Sequence, residues 1–180
     1  MLIIQEHKSS SYAHRTYLNA ASADLTIAVA VDYSTAGEKL TKKAAKNFLE
    51  LPFKDDFKDN ARILYKCMKR NNYTSLNIAG NGIYTFSKHG VEQEDINQYI
   101  YDMLSLVHTH LGISFIVPGG QTGTDIAGGV AGYALDIHTT MTLPNGFKQR
   151  FKDGIDITQT EGSVLRQVEY WDKLLNKEKK

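Results

Sequence analysis

The segment Phe115-Ile-Val-Pro-Gly-Gly-Gln-Thr-Gly-Thr-Asp125 compresses an apolar run, a proline stop, three glycines and an oxygen-rich tail into eleven residues. Ser114 to Val117 is predicted to be a buried strand, Pro118 ends it, and the chain is expected to turn helical from Thr124. A strand that passes through glycines straight into a helix leaves amide N–H groups unpaired at the positive end of a helix dipole, which suits a phosphate or carboxylate. Gly119 and Gly120 remove the Cβ atoms that would hold a ligand off the backbone, and Thr122 and Thr124 add hydroxyl donors. The competing reading is a tight turn whose glycines serve only its dihedral angles.

The same grammar recurs along the chain. Leu2 to Gln5 can form a short strand, and Tyr12 to Asn19 a helix begun by Ser9–Ser11. Leu25 to Val31 is apolar without alternation and rich in β-branched residues, as in a strand covered on both faces. The small, hydroxyl-rich Ser34-Thr-Ala-Gly37 then leads into an expected helix over Glu38–Glu50, with Leu40, Ala44, Ala45 and Leu49 on its inner side. Pro52 and the charged Lys54–Asp59 read as a linker. Phe57, Ala61, Leu64 and Met68 predict a helix to about Arg70, closed by Asn71-Asn72. Leu76–Ala79 is a strand followed by Gly80-Asn81-Gly82, with Ile83–Phe86 extending it or forming a lip.

Glu92 to Val107 carries the clearest helical period, through Ile96, Tyr99, Ile100, Met103, Leu104 and Val107. Ile126–Leu135 is a helix with three interior glycines, each costing about 1 kcal/mol against alanine. Gly128 and Gly132 share one side of it, so a close approach to the sheet must offset that cost. His138–Leu143 is a strand ended by Pro144-Asn-Gly146, Phe147–Gly154 is basic and aromatic, and Val164–Leu175 is the final helix.

Alternating strands and helices imply an α/β fold: one domain over residues 1–180, a Rossmann-like doubly wound, mostly parallel sheet with helices on both faces. Ligands of such sheets bind beyond the carboxyl ends of the strands. The loops Asp32–Gly37, Gly80–Gly82, Gly119–Thr124 and Pro144–Arg150 all follow strands and are expected on one rim.

Several classes are excluded. At 180 residues and a net charge of +1, the chain has no global basicity to attract nucleic acid. Its first residues are too weakly apolar for a secretory leader and no run is long enough for a membrane span, so a cytoplasmic protein is expected. One cysteine, Cys67, rules out an internal disulfide and reads as an inert thiol on an apolar helical face. His108 and His110, two apart on a helix, point to different sides and read as partners of the helix dipole, so neither a metal nor a cofactor is expected. Gly123 is not followed by Lys-Ser/Thr as in a Walker loop. Gly80-Asn-Gly82 lacks the third glycine of a dinucleotide fingerprint, and no G-x-S-x-G elbow is present.

Pro118-Gly-Gly-Gln-Thr-Gly-Thr-Asp125, the Ala/Gly-rich helix after it and Leu143-Pro-Asn-Gly146 resemble the SLOG superfamily of Rossmann-like nucleotide-binding proteins. That superfamily includes the lonely-guy phosphoribohydrolases, the DNA-processing protein DprA and the molybdenum-carrier type with its G-G-Q-T-G-x-D signature. The last group carries a further segment matched here by Arg15-Thr-Tyr-Leu-Asn19, Ala23-Asp-Leu-Thr26 and Gly37-Glu-Lys-Leu-Thr41, but in this chain it precedes the glycine motif. The order resembles a circular permutation, allowable because domain termini often lie close together. The resemblance implies a nucleotide-derived ligand, such as an ADP-ribose or signalling nucleotide, with phosphate on Gly119, Gly120, Gln121, Thr122, Gly123 and Thr124. Thr35 and Gly37 would close the opposite wall.

Arg15, Lys148 and Arg150 are candidate counter-charges, Asn81 or Asp125 would read a ribose hydroxyl, and Asn19, Gly80 and Gly82 complete the candidate set. A second reading is an N-glycosidic hydrolase, with Asp125 or Asp32 stabilising an oxocarbenium-like transition state or activating water. The lonely-guy glutamate is not matched, since Gly128 stands near its expected place. A third is an interaction or scaffold domain with a degenerate pocket. A homodimer is suggested by the superfamily and by spare apolar helix faces.

Overall fold

The computed structural model of the protein describes residues 1–54 and 56–177; Asp55 in the expected linker and the last three residues of the tail lie outside the described residues. In chain order the elements are β1 (Leu2–Glu6), α1 (Tyr12–Ala21), β2 (Leu25–Ala30), α2 (Ala36–Ala44), β3 (Phe48–Pro52), α3 (Phe57–Asn71), β4 (Ser75–Gly80) and α4 (Ile83–Ser87). There follow α5 (Gln93–Leu111), β5 (Phe115–Pro118), α6 (Thr124–Ala134), β6 (His138–Leu143), β7 (Gln149–Arg150), β8 (Asp156–Ile157) and α7 (Glu161–Leu174). Six strands form one sheet in the order β3-β2-β4-β5-β6-β1, every pair parallel, and β7 with β8 makes a small antiparallel ribbon.

Two expectations are corrected. The helix expected over Glu38–Glu50 stops at Ala44, and Leu49 lies in β3, an edge strand paired with β2. Asn47 makes the break: its carbonyl accepts from Thr26 N at 2.9 Å and its Nδ2 donates to the Asp24 carbonyl at 2.9 Å. Pro52 is tolerated because β3 is an edge strand. Ile83–Phe86, expected to extend a strand or form a lip, instead makes the short α4.

Right-handed crossovers place α3, α5 and α6 on one face of the sheet and α1 and α2 on the other. Accordingly α3 packs on α5, α5 on α6 and α6 on α7, while α1 packs on α2. The two faces differ in chemistry. Leu25, Ile27, Val29, Leu76 and Ile78 join the main core with Leu64, Ile96, Ile100, Met103 and Leu104. On the opposite face the same two central strands present Thr26, Ala28, Ala30, Asn77 and Ala79, all small or polar.

The glycines of α6 allow the expected close approach. A Cβ added at Gly128 would lie 2.8 Å from Ile78, one at Gly129 2.4 Å from Met141 Sδ, and one at Gly132 2.1 Å from Thr139 Oγ1. Chain direction reverses between β2, which leads outward to β3, and β4, which leads the other way through β5 and β6. The topological switch point, where ligands of open α/β sheets bind, therefore lies between the ends of β2 and β4. Gly132→Ala tests the packing: overpacking at about 1–3 kcal/mol set against a helix-propensity gain of about 1 kcal/mol leaves an expected net loss of up to roughly 2 kcal/mol in urea denaturation.

Candidate functional site

Asn81, just past β4, ties the switch point together. Its Oδ1 accepts from Val31 N and Asp32 N, both at 2.9 Å, and its Nδ2 donates to the Asp32 carbonyl at 2.9 Å and to Glu38 Oε1 at 3.3 Å. Its own carbonyl accepts from Thr124 N at 3.1 Å, so one residue joins β4, the β2–α2 loop and the start of α6. Next to it, Gly80 has no room for a Cβ, which would sit 1.9 Å from the Val29 carbonyl.

The polar groups of the glycine turn after β5 are largely satisfied by other parts of the protein. Gly123 N donates to Gln93 Oε1 at 2.6 Å, Thr122 N to Gln121 Oε1 at 3.2 Å, and Thr124 Oγ1 to the Val29 carbonyl at 2.8 Å. Thr122 Oγ1 donates to the Arg150 carbonyl, and the Gly120 carbonyl accepts from Gln149 Nε2 at 2.8 Å. Gly120 needs its left-handed φ of 71°, while Gly119 makes room for Arg15, whose Nη1 lies 1.6 Å from where a Cβ would be. The turn expected to offer free donors at Thr122, Gly123 and Thr124 thus has those donors engaged, and it seats an arginine.

Beside it opens a cleft of about 610 Å³ bounded by α1, the β2–α2 loop, the end of β4, α4, Gln121, Asp125 and Arg150. Of the residues singled out from sequence, it brings together Arg15, Asn19, Asp32, Thr35, Gly37, Gly80, Asn81, Gly82, Gln121, Asp125 and Arg150. Gly119, Gly120, Thr122, Gly123, Thr124 and Lys148 do not line it; Lys148 Nζ reaches the Ser10 carbonyl at 3.4 Å instead. Arg150 lines the cleft while paired with Asp156 at 2.7 Å. Sequence reasoning missed Tyr12, Thr16, Glu38, Asn77, Tyr84 and Lys88. Tyr12, Arg15, Thr16 and Asn19 recur at i, i+3, i+4 and i+7, so a polar helical stripe was the available signal.

Arg15 Nη1 meets Asp125 Oδ2 at 2.6 Å, with side chains only 10% and 8% exposed. Burial pushes the Asp125 carboxyl up, and the Arg15 guanidinium pulls it back. Asp32, by contrast, is held below the usual carboxylate range by the Ser34 hydroxyl and amide, the latter at 2.7 Å. Among the described residues, seven buried side-chain polar atoms lack a hydrogen-bond partner. Five of them, Tyr12 Oη, Arg15 Nε, Asn19 Nδ2, Asn19 Oδ1 and Glu38 Oε2, belong to residues lining this cleft.

Glu38 stands three residues after the N-cap Thr35, where a capping-box glutamate would turn back toward the cap. Thr35 Oγ1 does accept from Glu38 N at 3.2 Å, yet the Glu38 side chain is buried against Asn81. Burial first, then the neighbouring Asp125 charge, pushes its carboxyl up to about 8, with Glu50 and Asp32 adding smaller repulsion and Asn81 opposing them.

A scan of family models matches residues 2–104, from β1 into α5, to the circularly permutated YpsA SLOG family. The chain belongs to that family. Neither the curated proteins nor the solved structures give a significant match. The permutation is visible in the sheet, where β4, β5, β6 and β1 lie side by side, so the first strand occupies the place of one that would follow β6. The matched span holds α1, the β2–α2 junction and Gly80–Gly82 of this SLOG protein, whereas the Gly119–Asp125 turn lies beyond it. No helix among the described residues is long and apolar enough to cross a membrane.

The Glu38 environment predicts a pH dependence. A carboxyl moved from its ordinary 4.5 to about 8 is protonated in the folded state where the unfolded chain has lost the proton. Stability then falls as pH rises from the lower value to the higher and levels off above it. The full span corresponds to roughly 4–5 kcal/mol. Glu38→Gln is expected to flatten this slope and to exceed the wild type in stability at alkaline pH; urea titrations across that range decide it, and an unaltered slope would exonerate Glu38. Arg15→Met should cost about 3–5 kcal/mol, because it leaves Asp125 buried without its cation, and Asp125→Leu added to it should recover much of the loss in the same denaturation assay.

Proposed function

We propose that the cleft binds a nucleotide-derived ligand of the ADP-ribose or signalling-nucleotide kind. The observation that carries the reading is the convergence of five unpartnered buried polar atoms on one cleft at the switch point. Such atoms cost about 1–3 kcal/mol each when nothing pairs them, and a ligand that pairs them recovers that cost. Membership of a SLOG family supports a nucleotide-related role.

The anionic part of the ligand is best accommodated at the start of α2. Ala36 and Gly37 occupy the first two helical positions, whose amides have no partner within a helix. Both line the cleft together with Lys88 and His89, and the nearest neighbour to an added Cβ at Gly37 is 4.0 Å away. Asp32 at the same mouth is turned onto its own loop. The Gly119–Thr124 turn then acts as the wall that positions Arg15, Gln121 and Asp125 rather than as the phosphate cradle. Binding is favoured over hydrolysis because both acids considered for catalysis are engaged, Asp125 by Arg15 and Asp32 by Ser34.

Thermal unfolding with ADP-ribose, AMP and NAD tests the reading. Ligand at 100 times its Kd adds about 2.7 kcal/mol, roughly 5–10 °C for a chain of this size, and the base–ribose bond is expected to survive prolonged incubation. No shift with any of them at millimolar concentration would overturn the assignment. Gly37→Glu is expected to weaken phosphate-bearing ligands at least about tenfold by placing a carboxylate at the helix start.

A further inference from the structure

The end of the cleft beneath α1 has a different chemistry from its mouth. Helices on an α/β sheet ordinarily bury an apolar stripe, but the residues buried on α1 are Arg15, Asn19 and Ala20. Asn19 is 2% exposed, yet neither its side-chain Nδ2 nor its Oδ1 has a partner among the described residues. Opposite it the sheet shows Asn77 and Ala79, small enough to leave space, and both line the cleft with Thr16 and Asn19. Asn77 is itself satisfied on its nitrogen by Thr26 Oγ1 at 3.1 Å.

Charge separates the two ends further. The Arg15 guanidinium is neutralised by Asp125, leaving its Nε–H unpaired, and Glu38 contributes one oxygen to Asn81 while the other is unpartnered. Among the described residues, the one cation at this end, Arg15, is paired with Asp125, so no unpaired cation is present there to select a phosphate. What this end presents is a set of neutral hydrogen-bonding groups around a gap over an alanine. A carboxamide with both functions free matches a planar partner bearing a donor and an acceptor side by side, the pattern by which asparagine pairs bidentately with a base edge.

We propose that the slot between α1 and the β4 face holds a flat heteroaromatic group, with Asn19 pairing with its adjacent N–H donor and acceptor and Glu38 Oε2 and Arg15 Nε making the remaining hydrogen bonds. The group is a nucleobase or the carboxamide of a nicotinamide ring, both of which carry that donor–acceptor pair. The inference rests on the nucleotide reading above and adds the orientation: ring inward under α1, phosphate outward at α2.

Calorimetric titration of the full chain with AMP, GMP, nicotinamide mononucleotide and ribose 5-phosphate tests it, since the last lacks any ring base. At least one of the three nucleotides is expected to bind roughly 10–100-fold more tightly than ribose 5-phosphate, the discrimination one bidentate pair provides. Which one does so distinguishes purine from nicotinamide. Asn19→Ala is expected to shrink that gap by about tenfold, with far-UV circular dichroism and melting confirming the fold. The near-isosteric Asn19→Asp, which replaces a donor by an acceptor, is expected to reorder the three affinities. Ribose 5-phosphate binding as tightly as every nucleotide, or an unchanged ranking in Asn19→Asp, would overturn the base slot while leaving the nucleotide reading intact. Failure of all four to bind at millimolar concentration would overturn both.

Discussion

A buried ion pair, Arg15 with Asp125, holds this architecture at the end of the sheet where the cleft opens. It links α1, on the thinly covered face of the sheet, to the first turn of α6 on the other face, around the ends of the strands. The desolvation of two such charges is seldom repaid by their attraction alone, so the pair is better understood as fixing a geometry. α1 has little apolar surface turned inward, and an arginine anchored over Gly119 keeps it at a defined height above the sheet. The glycine turn, the helix and the cleft between them are in that sense one device.

The asymmetry of the two faces explains why a cleft exists. On the α3–α5–α6 side, branched side chains of β2 and β4 meet a continuous helical layer and the glycines of α6 let it approach closely. On the other side the same strands present threonine, asparagine and alanine to the layer formed by α1 and α2. The family match covers α1, β2, α2 and β4 of this half of the molecule and stops short of the glycine turn.

Much of this was legible in the sequence because it depends on local patterns. The unbroken apolar run of β2, the heptad-like stripe of α5 and the spaced glycines of α6 each declare their environment, and four strand-end loops follow from parallel topology. What escaped was set by distant partners. The helical spacing of Leu40, Ala44 and Leu49 runs on into β3, and Asn47, which breaks it, does so through Thr26 and Asp24. The donors of the glycine turn look free until Gln93, thirty residues away, is seen to take one. Glu38 sits where a capping-box acid belongs, and nothing local reveals that Asn81 draws it inward.

The permuted order also sets a timetable. Arg15 and Asp125 are separated by 110 residues, and β1 pairs with β6, the last of the sheet's strands in chain order. At a synthesis rate of about 5–20 residues per second, α1 leaves the ribosome roughly 5–20 s before its counter-ion exists. During that interval its polar inner face, Arg15 and Asn19, stays in water at no cost. The polarity that makes α1 a poor core helix thus makes it a soluble nascent one, able to wait for the rest of the cleft to be made.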